Sequence, residues 1–157
     1  MDDNALSPPG PAAAQAAMAQ APMAQAVSQE TAVVLLADDA RMLSEIGFLA
    51  AGAGDAARAE TIFSALRRLR PGQAYPLIGL AVAWLNAGRA PDAVRLLENA
   101  VLADPAERPL LDAWRGFALQ LAGRNRESAR LLETVAHGDG EGARLARALL
   151  GLPQEGA

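Results

Sequence analysis

Three pairs of residues recur at one interval: Pro71 and Pro105, Gly54 and Gly88, and Ala59 and Ala93 each stand 34 residues apart. A fixed period of that length marks a chain built from copies of one supersecondary unit, none of which buries its apolar side alone. Stacking the copies does bury it, so the spacing calls for a solenoid. The unit reads as a pair of helices. In the first copy Leu43, Ile46, Gly47 and Ala50 fall on one side of a helix, and Ala59, Ile62, Phe63 and Leu66 on one side of the next. Small residues at Gly47, Ala81, Gly116, Ala59 and Ala93 let paired backbones approach where the helices cross. Gly54, Gly88 and Gly123 stop the first helix of each pair, Pro91 suits the first turn of a second helix, and Asn125 is the expected cap of the last one. Arg67, Arg68 and Arg70 close the second helix, where positive charge complements the dipole.

Composition agrees with helix and excludes several chemistries. The chain is 52% hydrophobic but only 4% aromatic, because about a quarter of it is alanine, the strongest helix former. With no cysteine there is no disulfide framework and no thiolate chemistry. All 14 basic side chains are arginine and the net charge is -4, which argues against the broad cationic surface that nucleic acid requires. The one histidine, His137, stands in a Gly-rich loop with no triad partner. Asp38 and Asp39 are adjacent and so point to different sides of a helix, and the run from Gly138 to Glu141 holds too few ligands for a calcium loop. No phosphate-binding loop exists, since lysine is absent. The expectation is a chain with no enzymatic activity, no cofactor and no metal.

Residues 1–29 form a low-complexity Ala/Pro/Gln-rich stretch, expected to be a disordered tail. It opens with Asp2 and Asp3 and is interrupted by Pro8, Pro9, Pro11 and Pro22, unlike a secretory signal. The longest bulky apolar run, Ala32 to Ala37, is too short to span a bilayer. No membrane insertion is expected, and the segment Glu30 to Asp39 reads as an extension of the first helix or a short helix of its own. At the other end, Glu141 to Leu150 is an amphipathic run stopped by Gly151 and Pro153, which reads as a capping helix with arginine outward.

The period and its markers resemble the tetratricopeptide-repeat family. Counted from Ala40, the first repeat carries Gly47, Gly54, Ala59, Phe63 and Pro71 at positions 8, 15, 20, 24 and 32; counted from Ala74, the second carries Ala81, Gly88, Ala93, Leu97, Ala100 and Pro105 at 8, 15, 20, 24, 27 and 32, with Trp84 at 11. The third slips by one residue, places Gly116, Ser128 and Leu132 at the matching sites, and lacks the final proline. Position 4 departs throughout, with Leu43, Leu77 and Asp112 in place of tryptophan. The resemblance implies an all-α, tetratricopeptide-like solenoid over 30–152, with repeats at about 40–73, 74–107 and 109–137 and a capping helix at 141–150. It also implies a concave groove lined by the first helix of each pair. Its lining would be Arg41, Ser44 and Phe48, then Tyr75, Ile78, Val82, Leu85 and Asn86, then Leu110, Ala113, Phe117, Gln120 and Leu121.

Those residues are mostly apolar, so the expected occupant is an amphipathic helix of a protein partner, with self-filling or a homodimer contact as the alternatives. The segment from Met42 to Gly52 and the turn at Gly54-Asp55 are similar to the small cytoplasmic chaperones of bacterial type III secretion systems, of the YscG kind, which hold a needle subunit before export. That similarity implies a secreted or needle subunit as partner, with a co-chaperone as a further candidate. The alternative is a scaffold or assembly factor in another bacterial complex.

Overall fold

The computed structural model describes residues 37–153. Residues 1–36, which hold the low-complexity stretch and most of the segment expected as an early helix, lie outside the described residues. The chain divides into two units between Ala40 and Arg41. Of the first unit, 37–40 are described and helical. All that follows concerns the second.

Among the described residues of that unit the regular structure is entirely helical. Helix α1 covers 41–52. It is followed by α2 (Ala56–Leu69), α3 (Ala74–Asn86), α4 (Ala90–Glu98), a 3-10 turn (Pro105–Glu107), α5 (Arg108–Leu121), α6 (Asn125–Ala136) and α7 (Gly140–Leu150). Successive helices pack on one another, α5 also packs on α3, and α7 closes on both α5 and α6. This is a tetratricopeptide-like α-solenoid of three helix pairs, α1/α2, α3/α4 and α5/α6, ended by α7.

Each helix stops where the sequence supplies the means. Gly54, Gly88 and Gly123 adopt φ of 79, 74 and 77°, a left-handed conformation that a side chain would resist, and so turn the chain back within each pair. Asp55 caps α2 by accepting a hydrogen bond from the Arg58 N–H at 3.1 Å, and Pro91 sits in the first turn of α4. One expected cap is corrected. Helix α6 starts at Asn125 itself, its cap position is Arg124, and no side chain caps it. Arg124 instead pairs with Glu127 at 2.6 Å, one turn into the helix. Helix α7 ends in a left-handed Gly151.

The pairs meet through small residues. Phe63 is fully buried and lies against Gly47 of α1 and Gly79 of α3; a Cβ on Gly47 would fall 2.8 and 2.9 Å from its ring, and one on Gly79 under 3.0 Å from three ring atoms. Gly116 faces Leu132 in the same manner, and a Cβ on Gly142 would fall 2.6 Å from the Pro109 carbonyl oxygen. In the third pair Ser128, where the family carries alanine, is fully buried and donates its hydroxyl to the Gly116 carbonyl at 2.8 Å. That bond satisfies the hydroxyl inside the crossing. The core then runs as one cluster through α3, α4 and α5, with Leu77, Val94, Leu97 and Leu111 at its centre, and a second around Leu132 and Ala146.

One residue expected inward is not. Ile46 is 42% exposed, although Gly47 and Ala50 beside it are buried. On a helix it lies about 100° from Gly47, on the flank shared with Met42 and Leu49, which are 58% and 74% exposed.

Candidate protein-binding groove

The first helices of the three pairs, α1, α3 and α5, carry all thirteen groove positions, and the structure sorts them by depth. Ile78 (5% exposed) and Ala113 (fully buried) are interior. Ile78 belongs to the central cluster and Ala113 to the one shared with α6 and α7. They shape the floor and offer no surface. Val82, Leu85 and Leu110 are half-buried and packed on the central cluster, presenting only their outer edges.

The outermost positions differ from helix to helix. On α1, Arg41 is exposed and its Nε reaches a carboxylate oxygen of Glu45 at 3.3 Å; Phe48 is 41% exposed and sets its ring edge-on to Phe63, 4.8 Å between centroids. Ser44 is half-buried. On α3, Tyr75 is half-buried, and the Asn86 amide donates to the Ala51 carbonyl at 2.8 Å. That carbonyl belongs to the last turn of α1 and also accepts from the Gly54 N–H at 3.2 Å, so Asn86 ties the turn of the first pair to the second pair. On α5, Phe117 and Gln120 are half-buried and Leu121 is 54% exposed.

A residue that the family positions did not name completes the α5 surface. Trp114 is half-buried, four residues after Leu110 and three before Phe117, and its ring stands 6.1 Å from that of Phe117 at 70°. Leu110, Trp114, Phe117 and Leu121 therefore share one side of α5. The spacing of 4, 3 and 4 was the signal that could have found it. Four partly exposed apolar side chains on one helix face are the pattern that receives another amphipathic helix.

Charge is kept away from this side. Among the thirteen groove residues only Arg41 is of a charged type. The ion pairs of α4 gather around Asp92, whose carboxyl is held below the usual aspartate range by hydrogen bonds from Arg89 and Arg95, while the Arg89 guanidinium lies 4.7 Å from the centre of the Trp84 ring. On α5, Asp112 is largely buried with its side chain 18% exposed, and this desolvation raises its pKa although Arg115 and Arg108 stand 3.6 and 3.9 Å away. One of its carboxylate oxygens has no hydrogen-bond donor. Asp112 lies more than 120° around the helix from Leu110 and Phe117, so it does not face the groove.

Among the described residues no helix is long and apolar enough to cross a membrane. Comparison with curated proteins and with solved structures finds no match. Residues 50–115, from the end of α1 into α5, match the family model described as Tetratricopeptide repeat, and that match supports the family whose markers the sequence carries.

Proposed function

We propose that the chain is a binding module and not an enzyme, and that the face of α3 and α5 holds an amphipathic helix of a partner protein. The observation that carries this reading is the stripe of Leu110, Trp114, Phe117 and Leu121, apolar along its whole length and ending in a leucine that is 54% exposed. Exposed side chains of this kind, aligned on one helix and free of charge, gain by being covered. A partner helix with apolar residues at i, i+3, i+4 and i+7 matches their spacing.

The finer reading is a cytoplasmic chaperone of a bacterial type III secretion system that covers an aggregation-prone helical subunit until export. The likeness of Met42 to Gly52 to such chaperones favours it over a scaffold in another complex. Co-expression with a needle-type subunit tests it: a soluble complex that is lost in Leu121→Glu supports the reading. A subunit that remains insoluble beside the wild-type chain counts against it.

A further inference from the structure

Away from the groove, the α2–α3 loop and the α4–α5 loop enclose a cleft of about 450 Å³. Its floor is apolar: Leu77 and Ala100, 5% and 8% exposed, with Leu102 beside them. Val101 lines it too and is 83% exposed, the largest exposure of any bulky apolar side chain among the described residues. The two loops are fixed to each other, since the Ala103 N–H donates to the Gly72 carbonyl at 2.9 Å and a Cβ on Gly72 would meet that of Ala103 at 2.8 Å. The cleft is thus held open before anything binds, which lowers the ordering cost of binding.

Its charge is one-sided. Arg67 lines the cleft and Arg70 stands three residues further along, and no carboxylate lines it. Arg41, Arg58, Arg89, Arg95, Arg108, Arg115 and Arg124 each reach an aspartate or glutamate within 4.0 Å, whereas Arg67, Arg68 and Arg70, like Arg126 and Arg130, do not reach one among the described residues. In a chain of net charge -4, one guanidinium without an ion pair, that of Arg67, lines a cleft whose floor is apolar and whose rim carries the exposed Val101. The dipole of α2 accounts for the position of Arg67 at the helix end but not for the cleft next to it.

We propose that this cleft is a second protein-binding site, one that takes a short acidic segment of a partner: an apolar side chain enters over Leu77 and Leu102, and a neighbouring carboxylate pairs with Arg67. A phosphate or nucleotide suits it less. Beside Arg67 the side-chain donors are the amides of Gln73 and Asn99, of which Asn99 is already engaged by the Arg95 carbonyl at 2.9 Å, and no aromatic ring lines the cleft on which a base could stack.

The test is fluorescence anisotropy of the full chain with a labelled peptide of alternating glutamate and leucine, beside a matched peptide of lysine and leucine. The acidic peptide is expected to bind. Arg67→Glu should weaken it roughly tenfold, as loss and reversal of one partly screened ion pair would, and Val101→Ser, at a position too exposed to affect folding, roughly threefold. Phe117→Glu on the groove should leave its affinity unchanged, so failure here is separate from failure of the groove. The proposal is overturned if the acidic peptide does not bind, if the lysine peptide binds as well, if Arg67→Glu and Val101→Ser are both silent, or if Phe117→Glu abolishes binding. Vesicles of phosphatidylserine that displace the peptide from wild type and not from Arg67→Glu would make the site a lipid site and also overturn it.

Discussion

Gly79→Ala tests whether the pairs meet as described, because two well-founded rules give it opposite signs. Helix propensity favours the substitution by about 1 kcal/mol, since glycine inside α3 costs that much relative to alanine. Packing opposes it. The new methyl would fall under 3.0 Å from three atoms of the Phe63 ring, where ordinary contact begins at 3.4 Å. The ring would have to retreat by about 1 Å, yet its other edge lies against Gly47, whose own Cβ position is 2.8 Å from it, and it is fully buried. Overpacking of a site with no room to relax costs about 3 kcal/mol, the upper end of its usual range, which leaves a net loss of about 2 kcal/mol and a melting temperature lower by roughly 8 °C. A double-mutant cycle in urea isolates the cause. In a Phe63→Leu background the clash is relieved, and Gly79→Ala should become neutral or stabilising by up to about 1 kcal/mol. Stabilisation by Gly79→Ala in the wild-type chain, or the same loss in both backgrounds, would refute the reasoning.

Three further outcomes are expected. Phe117→Glu and Leu121→Glu should keep the circular dichroism spectrum of the wild type yet lose capture of an amphipathic helix in a pull-down, because a carboxylate hydrated in the free chain would be stranded against an apolar ligand at a cost of several kcal/mol. Asp112→Asn should stabilise the chain at pH 7. The pKa of Asp112 is raised in the fold, so the native state binds its proton more tightly, and stability falls as pH rises above the unfolded value of 3.8; the advantage of asparagine should shrink toward that pH in melts from pH 7 to pH 3. Ser128→Ala removes a buried hydrogen bond to Gly116 worth about 1 kcal/mol and regains part of it in helix propensity, so a urea melt should show a loss of roughly 0.5 kcal/mol.

The repeat was legible because its markers act locally. A glycine that must take positive φ, such as Gly88, and a proline that must sit in a first turn, such as Pro91, declare themselves within a few residues. The crossings were partly legible: Gly47 and Gly116 stood at family positions, but Gly79 did not, and only the fold shows Phe63 from the preceding pair resting on it. Asn125 looked like a cap by residue type, whereas the cap position is set by where the Gly123 turn releases the chain. Sequence periodicity also placed Ile46 inward, since it specifies one apolar side of a helix and not how wide that side is. The groove residues were found as positions and not as depths. Whether a side chain such as Ala113 or Leu121 is floor or surface depends on how closely the next pair packs, and Trp114 was missed because a family register was followed where the local spacing of 4, 3 and 4 was the better guide. The cleft between residues 71–73 and 99–103 had no sequence signal, because it is made by two loops whose pairing through Gly72 and Ala103 is long-range.

The gradient along the proposed groove decides how much of it a partner must cover. Corresponding positions read Arg41, Tyr75 and Leu110 in one row and Phe48, Val82 and Phe117 in the next, so the first row turns from charged to apolar toward α5 while the second is apolar throughout. The four side chains on α5, already half-buried apart from Leu121, offer on the order of 250 Å². With an equal area from the partner this is about 500 Å², or about 12 kcal/mol at about 25 cal/mol per Å². Association costs about 4 to 15 kcal/mol in lost freedom, and stable interfaces bury about 1,200 Å² or more. A partner resting on α5 alone would cover less than half the area of a stable interface and would be held weakly. It has to extend over Tyr75, Val82 and Leu85 of α3, and the bond from Asn86 to α1 bears on this, because it fixes the first pair against the second and so holds the α3 face in one orientation. Under the proposed binding mode Arg41, paired with Glu45 at the far end, would bias which way a bound helix runs rather than how tightly it binds.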